Sequence, residues 1–334
     1  GPFSAAWRFD LLRSMASGVE KRVHNPYLRH MLNFFVKYVG SSPYDAPGVL
    51  NLLPHVQFEY GLWYVDGGLF EIARALEQLA REVGIDLHLG TEVTALSTDG
   101  ECVQGAELAD GTRLEGDVFI SNMEVVPAYR DLLGEPQEFM ETLGKFEPAC
   151  SGLVLHLGTD REYPHLAHHN FFFSRDPEKH FDQVFHKKEL PDDPTIYVVA
   201  PTRTDRSQAP DGCENIKVLP HIPHLQDEPF TQQQYADLRE RVLEKLERMG
   251  IEDLREHIIV ENTWTPEDIR QAYYSHRGAI YGVVSDRKQN RGFKAPKEST
   301  KYENLYFVGG SVNPGGGMPM AVLSGQQVRR KIVD

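Results

Sequence analysis

The C-terminal stretch KYENLYFVGGSVNPGGGMPMAVLSGQQVRRKIVD, residues 301–334, constrains the fold more than any other part of the chain. Residues 305–308 are a short apolar run of strand formers, and Gly309 and Gly310 break it. Pro314-Gly315-Gly316-Gly317 then makes a turn in which no side chain obstructs access to the backbone. From Met320 the pattern resumes at helical spacing, with Ala321, Ser324 and Gly325 small enough for close packing. A strand, a glycine turn and a helix N-terminus follow from that order. Backbone N–H groups exposed at such a terminus attract anions or developing negative charge. An ordinary tight turn before a terminal helix would read the same way.

At 334 residues the chain can bury a large core, and two domains are the natural expectation. Its formal charge of −14, from 35 basic and 49 acidic residues, argues against nucleic acid, which needs a basic footprint. The same balance weakens purely electrostatic attachment to anionic lipid. Cys102, Cys150 and Cys213 form no Cys-x-x-Cys pair and fit free thiols in a reducing cytoplasm. No run of 18 apolar residues exists to span a bilayer.

Periodicity places most elements. Asn25-Pro26 starts a helix carrying Leu28, Met31, Leu32, Phe35, Val36 and Val39. Pro47 opens a second, short and apolar one. Leu69, Ile72, Ala73, Leu76, Leu79, Ala80 and Val83 form one helical face, which Gly84 ends. Ile85, Leu87 and Leu89 alternate as a strand, Asp99-Gly100 and Asp110-Gly111 are hairpin turns, and residues 118–120 read as a buried strand. Strands are also expected at 151–157, 195–199 and 257–263. Thr231-x-x-Gln234 is a capping box opening a helix with Tyr235, Leu238, Val242, Leu246 and Met249 on one face. Thr265-Pro266 starts another short helix. The mixture gives an α/β part joined to an α+β part.

Side-chain chemistry is sparse. His165, His168 and His169 lack a second ligand cluster, so no metal is expected. There is no Gly-x-Ser-x-Gly elbow, and Ser285-x-x-Lys288 lacks companion motifs. The carboxylate pairs Asp192-Asp193 and Glu267-Asp268 suit turns and helix starts.

The wording of NLYFVGGSVNPGGGMPM resembles the C-terminal flavin motif of the bacterial phytoene desaturase family, the FAD-dependent carotenoid desaturases within the amine-oxidase-like flavoproteins. YVGSSPYDAPGVLNLLPHVQFEYGLWYVDGG (38–68), HHNFFFS (168–174) and LPDDPTIYVVAPTRTDRSQAPDGCENIKVLPHIPH (190–224) resemble further blocks of that family. Residues 310–312 and 318–321 lean towards its hydroxycarotenoid 3,4-desaturase branch. The resemblance implies FAD, with the flavin at Gly309, Gly310, Gly315, Gly316, Gly317 and Met318, and with Val93 of GTEVTAL meeting the adenine through its backbone. Gly316 is expected at positive φ against the isoalloxazine edge. It implies desaturation of a carotenoid precursor such as phytoene, diapophytoene or a hydroxycarotenoid, hydride passing to flavin. Another flavoenzyme on the scaffold (carotenoid oxygenase, isomerase or amine oxidase) and a non-catalytic polyene-binding fragment stand as alternatives. It further implies a hydrocarbon tunnel lined by Phe35 and Phe172, and a cytoplasmic location peripheral to the inner face of the membrane. The expected layout is 1–60 as the helical part of a substrate domain, 61–126 as an FAD-domain segment, 127–299 as an inserted α+β substrate domain, and 300–334 as the closing FAD-domain segment. No full G-x-G-x-x-G occurs, so the chain is expected to be N-terminally truncated, to hold little FAD by itself and to be inactive alone.

Overall fold

The structure, a computed structural model, describes Asp10 and residues 12–334. Among these, the helices of eight residues or more are α1 (Pro26–Phe34), α2 (Leu52–Tyr60), α3 (Phe70–Glu82), α4 (Gln232–Arg248), α5 (Pro266–Tyr273) and α6 (Met318–Val333). The strands are β1 (Val93–Thr98), β2 (Val103–Leu108), β3 (Arg113–Glu115), β4 (Phe119–Ser121), β5 (Ser151–Gly152), β6 (Val154–Thr159), β7 (His169–Phe172), β8 (Ile196–Val199), β9 (Glu214–Ile222), β10 (Ile258–Trp264) and β11 (Leu305–Phe307). Two compact units result. One holds the described residues up to Phe58 with Thr91–Ser151 and Pro266–Asp334; the other holds Glu59–Gly90 and Gly152–Thr265. Residues 59–90 thus group with the large inserted segment, a partition that cuts across the segments expected from the sequence.

In the first unit, β1, β2 and β3 form an antiparallel meander. Its turns close as the Asp-Gly pairs predict: Asp99 Oδ1 accepts from the N–H groups of Glu101 and Cys102 at 3.0 and 2.7 Å, and Asp110 Oδ1 from Thr112 N–H at 2.8 Å. β11 pairs parallel with β4, Leu305 opposite Phe119 and Phe307 opposite Ser121. Leu305, Phe307 and Val312 pack with Val103, Val125 and Tyr129 in one core. The buried strand expected at 118–120 is half-buried instead. Strand alternation turns Val118 and Ile120 outward, at 42% and 53% exposure. α1 begins where expected, with Asn25 Oδ1 accepting from the N–H groups of Tyr27 and Leu28.

The second unit is an antiparallel sheet in the order β10-β6-β9-β8-β7, with β5 beside β9. α4 packs on it. Thr231 and Gln234 make the reciprocal capping box, and Tyr235, Leu238, Val242 and Leu246 join Leu155, Leu157, Ile196, Val198, Ile216 and Val218 in the core. A buried ion pair pins the sheet: Glu214, 1% exposed, receives Arg203 at 2.8–3.1 Å and the Tyr163 N–H at 2.9 Å. α3 forms as the periodicity predicts, yet no residue of it is buried. Residues 85–90 are not a strand. Alternation alone does not hold one, because its backbone N–H and C=O groups need a neighbour to pair with.

Candidate functional site

The glycine turn is built from below by the chain itself. β11 ends at Phe307, Val308 N–H donates to Ser121 O, and the Gly309 N–H is taken by Ser324 Oγ of α6 at 2.8 Å. Ser324 Oγ also donates to Ala321 O, so a hydroxyl inside the helix fixes the end of the strand. Gly309, Gly315 and Gly317 adopt φ of +98°, +121° and +103°, where a side chain is strained.

Of the five glycines, only Gly317 has open space where a side chain would stand; Gly309 is buried, with Asn122 Nδ2 3.4 Å from its Cβ position. Gly315 and Gly316 are buried and face the protein. A Cβ on Gly315 would lie 2.4 Å from Lys294 Cε, and one on Gly316 would lie 3.0 Å from the Tyr281 carbonyl oxygen. Gly316 has no positive φ, which corrects the expectation for it. Its missing side chain makes room for Tyr281 of this chain. A Cβ on Gly310 would touch Gly316 Cα, Tyr281 O and Gly282 N at 3.7, 3.8 and 3.9 Å, while one on Gly317 would meet nothing within 4 Å. Gly317 is also the N-cap of α6 and no side chain caps that helix end. Met318, next along, is 45% exposed.

Tyr281 is central to this construction. Its ring lies over Gly40, where a Cβ would stand 2.5 Å from Tyr281 Cδ2, while its carbonyl backs Gly316. Gly282, next to it, packs on Gly310 O, 2.6 Å from where a Cβ would be. Gly40, Gly310 and Gly316 therefore close on one tyrosine–glycine pair. Sequence reading missed Tyr281, Gly282 and Gly40, because no local spacing joins them.

It also missed a buried charge. Lys294 is 4% exposed, its Nζ donates to Val283 O, and its stem runs along Gly315. Burial pushes Lys294 down to about 8, against the pull of Glu124. Burial pushes Glu124 up to about 7, opposed by the His276 N–H it accepts and by Lys294.

The remaining expected site residues are dispersed. Val93 opens β1, 37% exposed and paired with Leu108, on the meander rather than on the turn. Phe35 follows α1 and is half-exposed, its ring 6.0 Å from Tyr38 and 6.1 Å from Phe58. Phe172 is a core residue of the second unit, 8% exposed, so it does not line an open tunnel. The period of two in β7 turns Phe171 to the other face, where it stacks on Tyr197 at 5.1 Å. Among the described residues no three His, Cys, Asp or Glu side chains gather to hold a metal.

A flavin fits this turn. Its open face offers bare backbone at Gly317 and a helix N-terminus that no side chain caps, the donors that a ring with negative charge near its pyrimidine edge requires. A family model described as flavin containing amine oxidoreductase matches residues 2–332. The 4,4'-diaponeurosporene oxygenase of Staphylococcus aureus (strain MRSA252) is 58% identical over 99% of this chain and 67% of its own length. The 4,4'-diapolycopene oxygenase of a Methylomonas species is 57% identical over 100% of this chain and 67% of its own. An oxidoreductase from Methanosarcina mazei shares the fold with a TM-score of 0.63 at 16% identity, over 95% of this chain and 68% of that one. A cofactor-site redesign of putrescine oxidase does so with a TM-score of 0.62 at 13% identity, over 98% and 69%. The chain belongs to the flavin containing amine oxidoreductase family, oxidoreductases of mixed α/β and α+β architecture whose cofactor is FAD.

Proposed function

We propose that this chain belongs to an FAD-dependent enzyme that oxidises a carotenoid-type polyene. The observation that carries the reading is the identity of 57–58%, across almost all of the chain, to two enzymes named for acting on diapocarotenoids. Their names favour oxygenation. Desaturation, which the glycine-turn wording implied, is the second reading, because both reactions begin by oxidising an unactivated hydrocarbon and no side chain can accept those electrons.

The flavin supplies the hydride acceptor. Gly317, beside the exposed Met318, gives it backbone without side-chain obstruction, and the α6 N-terminus favours negative charge there. The substrate has almost nothing to hydrogen-bond, so buried apolar area recognises it, at about 25 cal/mol per Å². Exposed apolar side chains of the first unit, Tyr27, Leu28 and Met31 on α1 with Val56 and Phe58 on α2, suit a mouth that meets the inner face of a membrane. Phe35, beside Phe58, is placed to wall that entrance. No described helix is long and apolar enough to cross a membrane.

The test is incubation of the flavin-loaded, full-length protein with C30 polyenes in lipid vesicles, followed by chromatography and mass measurement. A terminal aldehyde supports oxygenation, and loss of two hydrogens with a red-shifted spectrum supports desaturation. Turnover of amines with no polyene consumed would overturn the reading. Gly317→Ala, whose Cβ meets no other part of the chain, should lower flavin content beyond what its backbone strain costs, that strain being read from the melting temperature of the flavin-free protein. Full flavin in that variant removes Gly317 from the site.

A further inference from the structure

We propose that Lys294 is a positioning cation for the flavin: a buried ammonium seated beneath the bare backbone of Gly315 that favours the reduced, negatively charged cofactor at the turn. The inference rests on the reading that flavin lies on this turn. Three observations carry it.

The first is contact. Lys294 Cε and Cδ occupy the space a Gly315 side chain would need, at 2.4 and 3.2 Å from its Cβ position, and Nζ lies 3.6 Å from it. Gly315 is bare because the lysine passes there. The second is restraint. Lys294 Nζ donates to Val283 O, its N–H approaches Asn313 Oδ1 at 3.4 Å, and Ala295 N–H donates to Ser311 O. Its backbone is thus tied to the loop at 311–313 and its ammonium to Val283. The third is cost. A methionine would fill the same volume without the desolvation penalty that a buried ammonium carries. A lysine kept there calls for a negative partner. The charged group acting on it is Glu124, itself driven towards its neutral form by burial, so it compensates the ammonium incompletely. Additional negative charge arriving on the far side of the turn would complete the balance. The α6 N-terminus acts with the same sign from the open side.

The experiment is a reductive titration of the flavin-loaded, full-length protein without polyene, comparing wild type, Lys294→Met and Lys294→Arg. The dissociation constant of oxidised FAD and the melting temperature of the flavin-free protein are measured alongside. At an effective dielectric constant of about 20, a unit charge about 12 Å from a singly charged ring is worth roughly tenfold in the preference for reduced over oxidised flavin. For a two-electron couple that is a potential about 30 mV lower in Lys294→Met. Lys294→Arg should restore most of it. A Lys294→Met potential equal to wild type, or Lys294→Arg falling with Lys294→Met, overturns the proposal. Should Lys294→Met fail to fold, Glu124→Gln answers with the opposite sign: a raised potential supports the proposal and an unchanged one overturns it. None of these readouts depends on carotenoid turnover, so their failure leaves the proposed substrate standing. Flavin retained in Gly317→Ala tests the placement of the cofactor separately.

Discussion

Gly40→Ala is the sharpest test of how the turn is built, because Gly40 lies outside the flavin motif. Two costs apply. Its φ of +57° is left-handed, which costs a residue with a Cβ about 1–2 kcal/mol. Its Cβ would stand 2.5, 2.7 and 2.8 Å from Tyr281 Cδ2, Cβ and Cγ, and overpacking of this kind adds about 1–3 kcal/mol. Rotating the ring does not relieve the clash, since Tyr281 Cβ is part of it. Tyr281 must move as a whole, and its carbonyl is what backs Gly316. The control is Gly111→Ala in the β2–β3 hairpin of the same unit, with φ +85° and nothing within 4 Å of its Cβ position. Urea unfolding should show Gly111→Ala losing only the strain and Gly40→Ala losing the strain and the overpacking together. Flavin titration of the full-length protein should show weakened binding in Gly40→Ala alone. Equal stability losses, or full flavin affinity in Gly40→Ala, would refute the idea that Tyr281 is wedged between Gly40 and the turn.

In the second unit, Arg203→Met should cost about 3–5 kcal/mol in urea unfolding, since it leaves Glu214 charged and buried; a loss below 1 kcal/mol would mean water replaces the arginine. The Glu124–Lys294 pair gives a pH signature. Glu124 titrates at about 7 in the fold rather than 4.5, so its contribution is complete below pH 4.5 and lost as pH rises through 7. Lys294 titrates at about 8 rather than 10.5, so its contribution is present above pH 10.5 and lost as pH falls through 8. The pair should place a stability minimum between pH 7 and 8, and Glu124→Gln/Lys294→Met should flatten it in unfolding curves at pH 5, 7.5 and 10; an unaltered profile would assign the minimum to other groups. Phe58→Asp, at a side chain 73% exposed on α2, should reduce co-sedimentation with vesicles several-fold without changing the melting temperature, and retained co-sedimentation would exclude this face as the membrane contact.

Local chemistry was legible in the sequence wherever its partners are local. The Asn25 cap, the Thr231–Gln234 box, the two Asp-Gly turns and the strand–turn–helix of β11 and α6 all formed as residue types a few positions apart dictate. Burial was less legible, because it belongs to what lies opposite. Residues 85–89 alternate like a strand but have no pairing edge, and Phe171 and Phe172 differ in fate although both are phenylalanine. At the site, the glycine turn announced itself while its support did not. Nothing near Lys294 in the sequence marks it as buried, and nothing marks Gly40 as the seat of Tyr281.

That support has a consequence for the order in which the molecule comes together. The Ser285 N–H meets Ser41 Oγ across 244 residues, and the Val125 N–H meets Ser311 Oγ across 186. Gly40, which seats Tyr281, reaches it only when such distant stretches have closed, and closures of that length are slow steps in folding. The C-terminal segment carries the wording of a flavin motif, yet as a separate peptide it would lack the floor that gives the turn its shape. Competence to receive the cofactor is therefore acquired late, and loading with flavin reports on the completed long-range assembly of this unit rather than on its last strand and helix.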